Sequence, residues 1–280
     1  MSWEYEILFD AEKETEPRLW STEASRIPVG RMGYRVRTIK AGPRLEAEIY
    51  PVFGREQEKT ARRAKANATS EAQRRLNLER AKRYMVQLAD ANFTAEDISL
   101  TLTYAGTPPE YNRALKDVKN FLNKVKRLRV KRQLSELKYI YTVEGNEDGE
   151  KKRIHVHMLM SGGIGREELE TLWAKGYANA DRLQPNENGL EGIARYMMKQ
   201  QRNRRRWACS RNLKRPKTRT RDCKISNARV KHIAYDFDND AKQIMEKLYQ
   251  RYHFVSSRVF YSDVVDGVYI RCVMREKTRG

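Results

Sequence analysis

Two of the four histidines of this 280-residue chain stand two positions apart in an otherwise apolar segment, Arg153-Ile154-His155-Val156-His157-Met158-Leu159-Met160. Successive side chains of a strand point to opposite faces of its sheet, so His155 and His157 would share one face, about 6.6 Å apart along the strand. Neutral imidazoles are common metal ligands. The segment therefore predicts a strand with one apolar face and one face that can hold a metal ion.

A carboxylate on the preceding strand would complete this ligand set. Asp148-Gly149 is typical of a two-residue hairpin turn. A turn centred there pairs Thr142 with His155 and places Glu144 on the histidine face, diagonal to His155, whereas a shift of one residue would turn Glu144 away. Two imidazoles and one carboxylate suit Mg²⁺ or Mn²⁺ beside a phosphate, and the ligand types also admit zinc.

A tyrosine further along the chain is a candidate nucleophile. The spacing of apolar residues predicts a helix over 189–201, with an inner stripe of Leu190, Ile193, Ala194 and Met197. Tyr196 flanks that stripe, and Lys199 follows one turn later on the same side. Because a tyrosine hydroxyl has a pKa near 10, its attack on phosphorus needs a metal to neutralise the phosphate and a nearby cation. Lys199 is the candidate for that cation.

The elements that must position these groups predict an α+β fold. The central order β-α-β-β-α-β-α is typical of an antiparallel sheet of the ferredoxin-like or split βαβ type, with helices on one face and appendages at both ends. Alternation along the strands places Thr101 and Thr103 with the histidines on the open, polar face. The predicted elements are strands 98–104, 137–144, 153–160 and 177–183, and helices 70–91, 110–130, 166–174 and 189–201, followed by a helix 240–252 and a hairpin 254–261/268–274.

Composition points to a polyanionic partner. The chain has 57 basic and 37 acidic residues, a formal net charge of +20 and a mean hydropathy of −0.86. No apolar stretch approaches the roughly 18 residues that cross a bilayer, and the basic segments lack the apolar face of a membrane-binding helix. We therefore expect a cytoplasmic protein without a membrane partner. The odd, widely spaced cysteines predict free thiols.

The charge pattern also predicts three segments: a hairpin and basic helical region over 1–95, a central domain over 96–204, and a basic linker with an α/β appendage over 205–280. Residues 202–221 contain ten Arg or Lys, no acidic residue and one indole. This density suits contacts to a nucleic-acid backbone together with base stacking. The predicted DNA contacts are Thr101, Thr103, Arg202, Arg204, Arg205, Arg206, Trp207, Arg211, Lys214 and Arg215.

Taken in order, these motifs resemble those of the HUH endonucleases, in particular the rolling-circle replication initiators of phages, plasmids and related mobile elements. The resemblance rests on the strand 99–104, on His155-Val156-His157 and on Tyr196-Met197-Met198-Lys199, and it covers about 97–216. It implies a metal-dependent nickase of single-stranded origin DNA. His155, His157 and Glu144 would hold the cation, and Tyr196 would form a 5′-phosphotyrosine and leave a free 3′-hydroxyl.

The resemblance also implies a host polymerase and helicase as partners, and the host cytoplasm as location if the chain is phage-encoded. The positions one turn from Tyr196 are Gly192 and Gln200, so the chain is similar to the single-tyrosine members. Two alternatives stay open: a transposase or relaxase on the same catalytic core, and a non-catalytic nucleic-acid-binding module of RRM-like topology. The latter would expose aromatic residues on its central strands.

Overall fold

The computed structural model describes residues 33–52, 70–107, 109–145, 154–199, 207–222, 224–235, 239–261 and 268–277. Two compact units share these residues: unit 1 has the described residues up to Ala81 and from Pro216 onward, and unit 2 spans Lys82–Arg215. In chain order the elements are β1 (Gly33–Ala41), β2 (Arg44–Val52), α1 (Ser70–Asn92), β3 (Ile98–Thr103), α2 (Tyr111–Lys131), β4 (Tyr139–Glu144), β5 (His155–Met160), α3 (Arg166–Trp173), β6 (Ala178–Arg182), α4 (Glu191–Met197), β7 (Ala208–Cys209), β8 (Lys217–Asp222), α5 (Asn227–Tyr235), α6 (Asn239–Leu248), β9 (Tyr252–Tyr261) and β10 (Val268–Glu276).

Unit 2 has the predicted split βαβ arrangement. Its strands lie in the order β6-β3-β5-β4-β7, and every neighbouring pair is antiparallel. β3 and β4 are therefore parallel to each other with β5 inserted between them, which is the ferredoxin-like order. The α+β prediction with an antiparallel sheet is confirmed.

The helices α2 and α3 cover the apolar face of this sheet. Leu100, Leu102, Val156 and Met158 alternate along β3 and β5 and pack with an i, i+4 stripe of α2 that includes Val118 and Val125. Burying each such side chain contributes about 1.5–3 kcal/mol. This apolar layer holds the strands in place, so the residues between these positions are presented on the second face.

The second face is only partly polar. Thr101 and Thr103 alternate with the core residues as predicted, but Ile140 and Leu159 are fully buried there. Four residues of the α4 region are buried as well: Leu190, Ala194, Met197 and Met198. The sequence prediction of a wholly open face therefore applies to the histidine end of the sheet and not to its other end.

Two predictions in unit 2 need correction. The β4–β5 register pairs Glu144 with His155 and Thr142 with His157, two residues away from the predicted register. A two-residue shift keeps each side chain on its face, because the strand repeat is two residues. The predicted helix over 189–201 is also shorter, since α4 ends at Met197 and Lys199 lies just beyond it. The predicted Asp148-Gly149 turn lies outside the described residues.

Unit 1 is a second five-stranded antiparallel sheet, in the order β8-β1-β2-β10-β9. β1 and β2 form the predicted hairpin, and Gly42 adopts the left-handed φ of 59° that its tight turn requires. α5 and α6 cover one face, where Val230, Ile233 and Met245 pack against sheet residues such as Ile49 and Ile270. Strands from both flanking segments of the chain thus share one sheet, an association that the sequence analysis did not foresee.

Three elements were not predicted from the sequence: the short strand β7, the edge strand β8 and the helix α5. The basic run that we interpreted as a linker therefore contains strands in its described part. Within the described residues, no helix is both long and apolar enough to span a membrane.

Candidate functional site

The two histidines lie at the centre of three adjacent strands. On β5, His155 is paired with Thr103 of β3 and with Glu144 of β4. His157 is paired in the same way with Thr101 and Thr142. Directly paired residues of neighbouring strands share a face. The sheet therefore gathers two imidazoles, one carboxylate and three hydroxyls on one surface.

His157 is the most constrained member of this group. Its Nε2 lies 3.6 Å from Oε2 of Glu144, and its Nδ1 lies 3.3 Å from Oγ1 of Thr101. The ring is largely buried, with 9% of the residue exposed. Burial lowers the pKa of His157 and the nearby His155 lowers it further, while Glu144 opposes both effects. A lowered pKa favours the neutral imidazole, which is the form that binds metals.

The ligand types fit a divalent cation, but the ligands are only partly gathered. Two ligands at right angles on an ion with bonds of about 2.1 Å are about 3 Å apart, close to the separation of Glu144 and His157. The rings of His155 and His157 instead lie side by side, nearly parallel, with centroids 6.4 Å apart. Accordingly, the part of the chain that the structure describes holds no group of three His, Cys, Asp or Glu already arranged around one point.

Tyr196 lies beside the histidines. Its ring meets that of His157 edge-on, with centroids 5.3 Å apart, and 58% of the residue is exposed. The phenol is therefore on the histidine face and accessible from solvent. Lys199 is exposed two residues beyond the end of α4, and its backbone N–H donates to the Tyr196 carbonyl at 3.0 Å. The structure thus brings the predicted nucleophile to the predicted metal ligands, and Lys199 follows it at the helix end.

A contact that the sequence analysis missed fixes the start of α4. The backbone N–H of Leu190 donates to Oδ1 of Asp90, near the end of α1, at 2.9 Å in a buried setting. Gly189 precedes it with a left-handed φ of 71°, which a glycine adopts at little cost. Asp90 is 100 positions away from Leu190 in the sequence, so no local pattern could have identified this partner.

A pair of aromatic rings lies next to the β4 edge of the sheet. Trp207 immediately precedes β7, which pairs with Tyr141 and Ile140 of β4. Its ring is 6.0 Å from that of Tyr84, whose hydroxyl accepts a hydrogen bond from Arg215 at 3.2 Å. We expected Tyr84 to lie in the inner stripe of α1, and this prediction was wrong because 36% of the residue is exposed.

The remaining predicted DNA contacts divide into two groups. Arg211, Lys214 and Arg215 are exposed in the segment after β7, and the backbone of Lys214 is held by Asn92 through hydrogen bonds of 2.7 and 2.9 Å. The predicted contacts Arg202, Arg204, Arg205 and Arg206 lie outside the described residues.

The core side of the site is braced by Trp173. Its indole Nε1 donates to the carbonyl oxygen of Thr103 at 2.8 Å, and its ring packs edge-on against Tyr104 and Phe121. Because Thr103 is paired with His155, this bond fixes the end of β3 next to the histidine strand.

Comparisons with known proteins agree with this centre. A family model of replication-associated proteins of the ORF2 type matches residues 97–201, a segment that begins just before β3 and ends just after Lys199. No curated protein and no solved structure gives a significant match to the chain. The matched segment contains both histidines, Glu144, Tyr196 and Lys199. The resemblance to rolling-circle replication initiators is therefore confirmed at the level of the family: the central segment of this chain is similar to the replication-associated proteins of the ORF2 type.

Proposed function

We propose that the chain initiates rolling-circle replication by nicking and rejoining single-stranded origin DNA, with Mg²⁺ or Mn²⁺ as cofactor. The observation that carries this proposal is the contact between Tyr196 and His157. It places an accessible phenol next to a pair of imidazoles and a carboxylate, on a segment similar to replication-associated proteins. An RRM-like binding module would instead present aromatic rings on β3 and β5, where this surface carries Thr101, Thr103 and the histidines.

The residues have distinct roles in the proposed reaction. His155, His157 and Glu144 would hold the metal ion, which supplies positive charge to the scissile phosphate. The Tyr196 oxygen attacks phosphorus and loses its proton, the bond from phosphorus to the 3′-oxygen breaks, and that oxygen gains a proton. The product is a 5′-phosphotyrosine with a free 3′-hydroxyl. Because one phosphate ester replaces another, the reverse reaction can rejoin the strand.

Lys199 and the aromatic pair would position the DNA. The Lys199 ammonium follows Tyr196 closely enough to supply charge near the phosphate. The rings of Tyr84 and Trp207 offer a surface on which unpaired bases can stack, and the exposed Arg211, Lys214 and Arg215 would contact the backbone. We propose the same backbone role for Arg202, Arg204, Arg205 and Arg206. Host polymerase and helicase would act on the product.

The decisive experiment asks which fragment becomes attached to the protein. The chain is incubated with Mn²⁺ and a pool of single-stranded oligonucleotides of random internal sequence, labelled at either the 5′ or the 3′ end. We expect only the 3′ label to migrate with the denatured protein, because Tyr196 takes the 5′-phosphate of the downstream fragment. Attachment of the 5′ label would contradict the proposed polarity.

Two variants test the assignment of the nucleophile. Tyr196→Phe removes only the phenolic oxygen and should abolish the adduct. Tyr177→Phe is the matched control, because Tyr177 is also an exposed tyrosine of unit 2, with 79% of the residue exposed. This control should form the adduct normally. If Tyr196→Phe still forms it, the nucleophile is misassigned. Separately, His155→Ala and His157→Ala should lose nicking while retaining affinity for DNA; loss of both would favour a binding module.

A further inference from the structure

Unit 1 contains a cavity that the proposed nicking centre does not use. Its volume is about 200 Å³, far more than the roughly 10–15 Å³ that one water molecule needs. It lies where the edge strands β1 and β8 meet the ends of the two helices that cover the sheet. Its lining residues are Val36, Thr38, Arg219, Arg221, Lys224 and Tyr249.

The strand register explains why two arginines face this cavity. Arg219 is paired with Thr38, and Arg221 is paired with Val36, whose side chain belongs to the core beneath α5 and α6. Paired residues share a face, so both arginines project on the helix-covered side of the sheet. β8 is an edge strand and is exposed along its whole length, so these side chains lie at the rim and not in the core.

The lining is strongly cationic. Three of its six residues are Arg219, Arg221 and Lys224, and none is acidic. Burial lowers the pKa of Lys224, and the positive charge of Arg221 lowers it further. Like charges held together in a partly buried setting repel one another unless an anion joins them. The arrangement therefore favours a bound anion.

Tyr249 adds a hydrogen-bond donor. Its hydroxyl is buried and finds no hydrogen-bond partner among the residues that the structure describes. Burial raises the pKa of Tyr249 to about 12, so the hydroxyl keeps its proton at neutral pH and can donate it to an oxyanion. The Lys224 ammonium lies 3.6 Å from the centroid of the same ring, which fixes the two groups together.

We propose that this cavity, lined by Arg219, Arg221, Lys224 and the Tyr249 hydroxyl, binds a phosphate of the DNA backbone. A polyanion fits better than a single free anion because the cations continue along the strand. Lys217 shares the face of the two arginines, which gives three exposed cations at intervals of about 6.6 Å along β8. The proposal rests on the proposed function only in taking DNA as the ligand.

The site is tested by binding in EDTA, where adduct formation plays no part. The affinity of a fluorescent single-stranded oligonucleotide is measured at several salt concentrations for the full chain and for Arg219→Gln/Arg221→Gln. The logarithm of the association constant falls with the logarithm of salt concentration by about 0.7 for each phosphate contacted. We expect the variant to bind more weakly and its slope to become shallower by about 0.7 to 1.4.

A charge-matched control separates this site from net charge. Lys242→Gln/Lys247→Gln removes two exposed charges of α6 in the same unit, away from the cavity lining. This control should keep the slope of the unaltered chain. If both double variants weaken binding equally and leave equal slopes, the cavity does not contact DNA. Because nicking is not measured, a chain that forms no adduct can still pass or fail this test.

Tyr249→Phe and free phosphate complete the test. Removing a buried hydroxyl without a partner should leave the melting temperature unchanged or higher, yet lower DNA affinity several-fold. Affinity equal to that of the unaltered chain would overturn the assignment of Tyr249. Inorganic phosphate, compared with chloride at equal ionic strength, should displace DNA only weakly. If it displaces DNA from the unaltered chain and the arginine variant alike, the cavity is not the DNA site.

Discussion

Two threonines on either side of His157 offer a matched pair of perturbations. Thr101 and Thr142 are both paired with this histidine, one from each neighbouring strand. Oγ1 of Thr101 lies 3.3 Å from Nδ1 of His157, whereas Oγ1 of Thr142 is buried and has no hydrogen-bond partner among the described residues. Replacement by valine removes the hydroxyl and nearly preserves the shape in both cases. The two variants therefore differ in a single contact.

We expect Thr101→Val to impair the centre and to change stability little. If Nε2 of His157 faces the metal, the ring proton lies on Nδ1 and is donated to the Thr101 oxygen, which fixes the orientation of the ring. Loss of this hydrogen bond costs about 0.5–1.5 kcal/mol. Loss of such a supporting contact typically reduces metal affinity or activity by about 10–100-fold. The DNA contact that the sequence predicts for Thr101 would add to this loss.

Thr142→Val should behave in the opposite way. A buried donor without a partner costs about 1–3 kcal/mol, so its removal should stabilise the chain by about 1 kcal/mol or more and raise the melting temperature by a few degrees. Adduct formation should be unchanged. The assays are Mn²⁺ titration by calorimetry, adduct yield and thermal unfolding. Equal loss of activity in both variants would refute the role assigned to Thr101, and destabilisation by Thr142→Val would refute the account of the buried hydroxyl.

Three further outcomes are expected. Trp173→Phe removes the bond to the Thr103 carbonyl and leaves that acceptor buried, so chemical denaturation should show a loss of about 1–3 kcal/mol. The pKa of His157 is lowered from 6.5, so the unfolded chain binds more protons near that value; the stability contributed is complete above pH 6.5 and is lost as pH falls towards the folded pKa, which unfolding curves from pH 5 to 8 and an NMR titration without metal would show. Burial raises the pKa of the Cys272 thiol to about 12, so iodoacetamide should modify Cys272 at pH 7.5 only after unfolding, as mass spectrometry of peptides would reveal.

Much of the site could be predicted because it depends on local spacing. The two-residue repeat of a strand puts His155 and His157 on one face whatever their neighbours are. For the same reason, Glu144 stayed on that face although the observed register differs from the predicted one by two residues. The alternation of β3 and the apolar stripe of α2 were readable in the same way, because burial of a single face imposes a period on the sequence.

The contacts between distant segments could not be read from any period. Asp90 meets the start of α4, Tyr84 turns towards Trp207, and β8 joins β1 across a large separation in sequence. Each pairing satisfies a polar group or covers a ring only after the sheets have formed. The residues of β8 are exposed and carry no apolar alternation, so their sequence resembles a linker.

By itself, the sequence determined which residues can bind a metal, attack a phosphate or contact DNA, and on which face of a strand the histidines lie, because side-chain chemistry and strand geometry are local properties. Only the tertiary structure decided that Tyr196 lies against His157, that Thr101 and Glu144 contact that ring, and that Arg221 and Tyr249 line a common cavity. These distances depend on which distant elements pack together, and packing depends on burial summed over the whole unit.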